Sequence, residues 1–168
     1  MDKDYQDKID RQEESDYQVT KEIFQKIFGN KFLKMEKRKR FSPSDALFSA
    51  KTSNDCIAYC IEIKEVHNCR YLEDNGFVLK LTKYIQILKD SKERNEDEKC
   101  ILIYLIPSLE EYYIYDLKEI DLNKVEMSVL SMKTTQFNHD APTTQYAVMF
   151  LPKEEAKYVG YYQANSIF

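Results

Sequence analysis

The run CILIYLI, residues 100–106, does most to limit what this chain can fold into. Seven consecutive apolar residues, entered from the charged stretch DSKERNEDEK and left at Pro107, have no helical period and read as a strand buried on both faces. A strand of that kind lies inside a sheet, and a sheet buried on both faces needs covering layers on each side. Two apolar stripes at helical spacing can supply them. Val19, Ile23, Phe24, Ile27 and Phe28 predict a helix over residues 16–28, with Ser15 and Gln18 as a capping box and Gly29 to end it. Phe77, Leu81, Tyr84, Ile85 and Leu88 predict a second over 77–89, with Asn75 and Gly76 at its start.

The remaining elements are strands. Residues 46–51 and 56–66 are rich in Ile, Phe, Tyr and Ala around the turn-forming TSND, which makes them a β-hairpin. Residues 32–40 form a weakly alternating first strand, EYYIYDL an edge strand after the turn at Pro107, residues 125–132 and 145–151 two further strands, and residues 153–158 a short final helix. The first fourteen or so residues show no apolar period and an acidic bias, so residues 1–15 are expected to be a flexible acidic arm. A chain of 168 residues fits one domain, here 16–168, with a core over 16–106 and additions over 107–168. The expected fold is α/β: a mixed central sheet in the order helix, strand, strand, strand, helix, strand, with C-terminal strands added.

A formal charge of −4 gives no global field for nucleic acid. The charge is uneven, however. Residues 1–16 hold seven acids against three bases, whereas KFLKMEKRKR, residues 31–40, holds six bases against one acid. Lys34, Lys37, Arg38, Lys39 and Arg40 are therefore the candidates for a phosphate backbone, or else a solvated charged edge that resists sheet aggregation. Cys56, Cys60, Cys69 and Cys100 show no CxxC pair, and neither His67 nor His139 completes a zinc spacing with them, so they are expected as reduced thiols. No apolar run approaches the roughly 20 residues of a membrane span, and a cytoplasmic location without membrane contact is the expectation.

Chemistry concentrates on the hairpin. The pattern of an acid, any residue and lysine occurs five times, so its bare presence decides nothing. Only Glu62 with Lys64 and Asp116 with Lys118 end or interrupt an apolar strand. If the hairpin turns between Ser53 and Asn54, facing residues have numbers summing to 107 and Asp45 lies across from Glu62. Alternation then puts Lys64 on the same face, whereas Asp116 has no such acid opposite it. Two carboxylates held together repel unless one takes a proton or a cation lies between them, and oxygen ligands of this kind suit Mg²⁺ or Mn²⁺. A lysine beside them can orient or deprotonate an attacking water and stabilise a phosphate under attack.

With Asp45 entering the second strand and IEIK on the third, the element order resembles the PD-(D/E)XK nuclease superfamily over roughly residues 16–106, with Ser44 where that family often has proline. The resemblance implies a restriction-endonuclease-like αβββαβ core and metal-dependent hydrolysis of DNA. It further implies Asp45, Glu62 and the Ile63 carbonyl as ligands of Mg²⁺ or Mn²⁺ and Lys64 at the attacking water. Members often add an acid from the first helix, for which Glu22 is the candidate, and a basic residue from the helix after the motif, matched by Lys80 or Lys83. Each of these three also reads as a solvated helix residue. DNA is then the expected partner, with a homodimer to act on both strands. The alternative is a non-catalytic protein- or nucleic-acid-binding module on the same or another α+β scaffold, in which Lys64 pairs with one acid.

Overall fold

The computed structural model describes residues 3–39, 42–67, 76–133 and 142–163. Arg40, Cys69, Asn75 and His139 lie outside them. Helix α1 (Lys3–Phe28) leads to β1 (Phe32–Lys37), β2 (Ala46–Lys51) and β3 (Cys56–Glu65). A short strand β4 (Phe77–Lys80) runs directly into helix α2 (Leu81–Arg94), followed by β5 (Lys99–Ile106) and β6 (Glu111–Asp116). Strands β7 (Glu126–Lys133), β8 (Thr143–Leu151) and β9 (Tyr158–Tyr161) complete the order. Apart from the inserted β4, this is the expected αβββαβ core.

The larger sheet has the order β1-β2-β3-β5-β6-β9, antiparallel except that β3 and β5 run parallel. The apolar run is β5 at its centre, and the two-faced burial read from sequence is visible residue by residue. Ile101, Ile103 and Leu105 join α1 residues Val19, Ile23 and Phe24 in one core cluster. Cys100, Leu102, Tyr104 and Ile106 join Phe77, Leu79, Ile87, Met149 and Leu151 in the other. That second layer is α2 together with a small sheet of order β4-β8-β7. Gly76 makes its entry possible: it adopts φ +76, and a Cβ there would come within 2.5 Å of the Leu151 carbonyl oxygen.

Four expectations are corrected. Helix α1 begins at Lys3 rather than residue 16. Polar i to i+4 bonds carry its first half, Gln6 to Asp10 at 2.7 Å, Gln12 to Asp16 at 2.9 Å and Gln18 to Glu14 at 2.8 Å, and Ile9 is buried. Residues 77–80 are a strand because Phe77 and Leu79 alternate inward against β8. Beyond a single turn at Lys153–Glu155, the expected final helix is strand β9, hooked back by the Lys157 N–H donating to the Ile114 carbonyl at 2.7 Å. Strand β6 is consequently interior, since β9 covers its outer side. Among the described residues, Cys56, Cys60 and Cys100 are free thiols, and no helix is long and apolar enough to cross a membrane.

Candidate functional site

The hairpin has the register expected from its turn: Ala46 faces Ile61, so Asp45 leads into β2 level with Glu62. The Asp45 N–H donates to the Ile61 carbonyl and its own carbonyl accepts from the Arg38 N–H, both at 2.8 Å. As β2 starts only at Ala46, the next inward donor of β3 would lack a ladder partner. The Asp45 side chain supplies one, its Oδ2 accepting from the Ile63 N–H at 2.7 Å. A strand residue directs both its backbone groups to one side, so the Ile63 carbonyl points to the same sheet edge as the Asp45 carboxylate.

Glu62 is 1% exposed. Its Oε1 lies 2.6 Å from Lys64 Nζ and its Oε2 2.9 Å from Lys83 Nζ, which α2 delivers from its first turn. Burial pushes the Glu62 carboxyl up, with Asp45 adding to it, while Lys64 and Lys83 pull it back. For Lys64 burial acts downward, but the Glu62 charge and hydrogen bond, with Asp45 behind them, outweigh it and raise its pKa. Lys80 sits where β4 meets α2, its Nζ 3.7 Å from the centroid of the Tyr146 ring. Burial, then the charge of Lys64, lowers its pKa.

The structure separates the other candidates. Lys34 pairs with Glu36 at 2.6 Å and Lys37 with Glu14 at 3.4 Å, both near the surface, and Lys39 is exposed. Arg38 is turned inward: its Nη1 donates to Ser44 Oγ at 3.0 Å and to Asp90 Oδ2 at 2.6 Å, tying the approach to Asp45 onto α2. Lys83 likewise spends its charge on Glu62. Glu22 is exposed on α1 and is not brought to the hairpin.

The acid that α1 does bring is Asp16. Six residues of helix turn Glu22 about 120° away from Asp16, and it is Asp16 that faces the end of β3. Gln12 Nε2 donates to Asp16 Oδ1 at 2.9 Å and to Glu65 Oε2 at 2.5 Å, linking two carboxylates through one amide. Burial, then the charge of Glu65 and more weakly of Asp45, pushes Asp16 up to about 7. Alternation along β3 puts Glu65 on the α1 face and Glu62 with Lys64 on the α2 face. Asp45, at the sheet edge between them, is felt from both sides. The signal for Asp16 was its spacing, three and seven residues before Val19 and Ile23, on the apolar stripe itself.

Whether these residues suit a divalent cation is a question about their donors. Asp45, Glu62 and the Ile63 carbonyl offer only oxygen, the preference of a small hard dication. Glu62 Oε2 is buried and accepts no hydrogen bond even with the Lys83 ammonium beside it, which leaves an acceptor to fill. The set fits in chemistry, with Lys83 as the competitor for that oxygen. Among the described residues no group of three His, Cys, Asp or Glu side chains is placed to hold a metal ion, here or elsewhere.

No family model and no curated protein matches the chain. Among solved structures it is similar to Archaeoglobus fulgidus Hjc, described as a Holliday junction resolvase from an archaeal hyperthermophile. That similarity is 8% in sequence with a TM-score of 0.40, over 79% of this chain and 81% of the other.

Proposed function

We propose that the chain is a metal-dependent nuclease that hydrolyses DNA phosphodiester bonds. The observation carrying this reading is the register that sets Asp45 level with Glu62, with the Ile63 N–H bound to Asp45 so that the Ile63 carbonyl shares their edge. Asp45, Glu62 and the Ile63 carbonyl would hold Mg²⁺ or Mn²⁺, which when bound supplies Lewis acidity to the phosphate and to the attacking water. Lys64 is 40% exposed at its side chain while its ammonium stays on Glu62. A lysine held protonated in this way acts as a cation and hydrogen-bond donor toward a phosphate gaining charge, and not as the acceptor of the water's proton. Asp16, with a pKa near neutrality, linked through Gln12 to Glu65 and reached by the charge of Asp45, is the acid of the α1 side suited to accept one. Glu22 has no part in this reading.

The test is cleavage of linear, supercoiled and branched DNA with Mg²⁺ or Mn²⁺ by the wild type, Lys64→Ala and Glu62→Ala, alongside calorimetric Mn²⁺ titration. Cleavage by the wild type, lost in both folded variants, supports the reading. Absence of both cleavage and metal binding overturns it.

A second reading is favoured by one observation: both oxygens of Glu62 already face ammonium groups. In a non-catalytic binding module that cluster is a buried ion triad and takes no metal. Lys83→Met separates the readings, because removing the competitor strengthens Mn²⁺ binding in a nuclease and produces no binding heat in a scaffold.

A further inference from the structure

The C-terminal additions build an arm beside the site. Strand β4 pairs with β8 only from Val148 to Leu151, whereas β7 pairs with β8 along its whole length, Lys133 facing Thr143. The half of the β7–β8 ribbon carrying Thr143 to Ala147 therefore continues past β4, by about 15 Å at 3.4 Å per residue. It leaves the body at Lys80, whose charge interacts with Lys64, one turn of helix from Lys83 on Glu62. The Lys80 ammonium over the Tyr146 ring fixes the ribbon at that point.

The two faces of this arm differ. At the root, Met149 and Leu151 point down onto the large sheet and are buried in its core with Leu102 and Tyr104. Alternation continues that face outward as Ala147, Gln145 and Thr143, opposite Val129, Ser131 and Lys133. All six are exposed, Val129 at 60%. The face that packs against the sheet at the root thus continues, exposed, past Lys80, whose charge interacts with that of Lys64 beside Glu62. From Met127 to Lys133 and from Thr143 to Ala147 the arm holds no acid, in a chain of net charge −4. That exposed face offers the hydroxyls of Ser131 and Thr143 and the amide of Gln145, groups that hydrogen-bond phosphates and base edges.

We infer that this face of the β7–β8 arm binds double-stranded DNA, lying against the duplex while a phosphate of the same duplex reaches Lys64. A two-stranded ribbon is of a width that the major groove, about 12 Å across, admits. The inference rests on the nuclease reading for the identity of the substrate, and binding without cleavage tests it separately. The experiment is fluorescence anisotropy of a labelled 20-base-pair duplex, in EDTA, at two salt concentrations. It compares the full-length wild type, Ser131→Glu/Gln145→Glu on the arm, and Ser53→Glu/Asn54→Glu at the exposed β2–β3 turn as the charge-matched control, with thermal melts to show that each is folded. The arm variant is expected to bind about tenfold more weakly, with a smaller salt dependence, and the turn variant within about twofold of the wild type. Equal affinity of the arm variant and the wild type, equal losses in both variants, or a wild type that binds no duplex would each overturn the inference. Binding that depends on the arm in a protein that cuts nothing keeps the inference and removes the nuclease reading.

Discussion

Strand β3 ends between two carboxylate sites that solve the same problem differently. On the α2 side Glu62, 1% exposed, is met by two ammonium groups at 2.6 and 2.9 Å. On the α1 side Asp16 and Glu65 are bridged by the neutral amide of Gln12, and His67 Nε2 stands 3.7 Å from Glu65. Burial raises the carboxyl pKa at both sites; two ammonium groups oppose it at the first, and at the second only the exposed His67 does so, acting on Glu65. The lesson is that burial beside another carboxylate drives an acid toward neutrality, whereas a partnered cation opposes that rise. One side of the strand is accordingly suited to hold charge, and the other to exchange a proton near neutrality.

The largest expected effect tests what the compensated side is for. Lys64→Ala leaves Glu62 its contact with Lys83, so the fold persists, while cleavage measured with Mg²⁺ falls by about a thousandfold through loss of the cation at the phosphate. Unchanged cleavage would assign Lys64 a structural part only. Removing both cations, in Lys64→Met/Lys83→Met, leaves a buried carboxylate uncompensated and is expected to cost about 3 kcal/mol at pH 8 in denaturant unfolding. That cost shrinks as the pH falls, because the stranded Glu62 takes up a proton. A variant equally destabilised at pH 5 and pH 8 would show that packing, and not charge, is lost.

For Asp16 the folded pKa near 7 lies above the ordinary aspartate value of 3.8, so the folded protein binds a proton more tightly than the unfolded chain between those values. Stability from this group is full below pH 3.8 and declines as the pH rises through 7. Asp16→Asn keeps an acceptor for Gln12 and cannot ionise. At pH 8 it should stabilise the protein by about 1–2 kcal/mol, discounted for partial exposure, with a smaller gain at pH 5. Equal effects at the two pH values would mean that Asp16 is not the titrating member of the pair.

How far these two sites could be read from sequence differs for physical reasons. The compensated side was legible because a hairpin has one register once its turn is placed: TSND set Asp45 opposite Glu62, and period-two alternation added Lys64. The α1 side was not, because a helix start was sought in apolar residues, and the first turns of α1 are held by side-chain amide bonds that leave no apolar period. With the helix begun at residue 16, Asp16 looked like a terminal residue and Glu22 like the only interior acid. Lys83 and Arg38 look in sequence like cations for a phosphate because sequence shows a charge but not the acid it faces across the fold, here Glu62 and Asp90. The small sheet is not legible as a separate layer because β4 is only four residues long and its Phe77 falls on the helical stripe that continues from Leu81.

The smallest expected effects ask which neighbour holds the α1 acids in place. If the amide is the organiser, Gln12→Met removes the one donor that Asp16 and Glu65 share, and unfolding at pH 8 should show a loss of about 1 kcal/mol. At pH 5 the loss is smaller, since a protonated Asp16 can itself donate to Glu65. His67 is 77% exposed at its side chain and 3.7 Å from its acid, a distance and exposure at which a pair contributes little, so His67→Ala should stay within about 0.5 kcal/mol of the wild type at both pH values. A larger loss for His67→Ala than for Gln12→Met would mean that an opposite charge organises this side too, and the contrast between the two faces of β3 would then be one of degree.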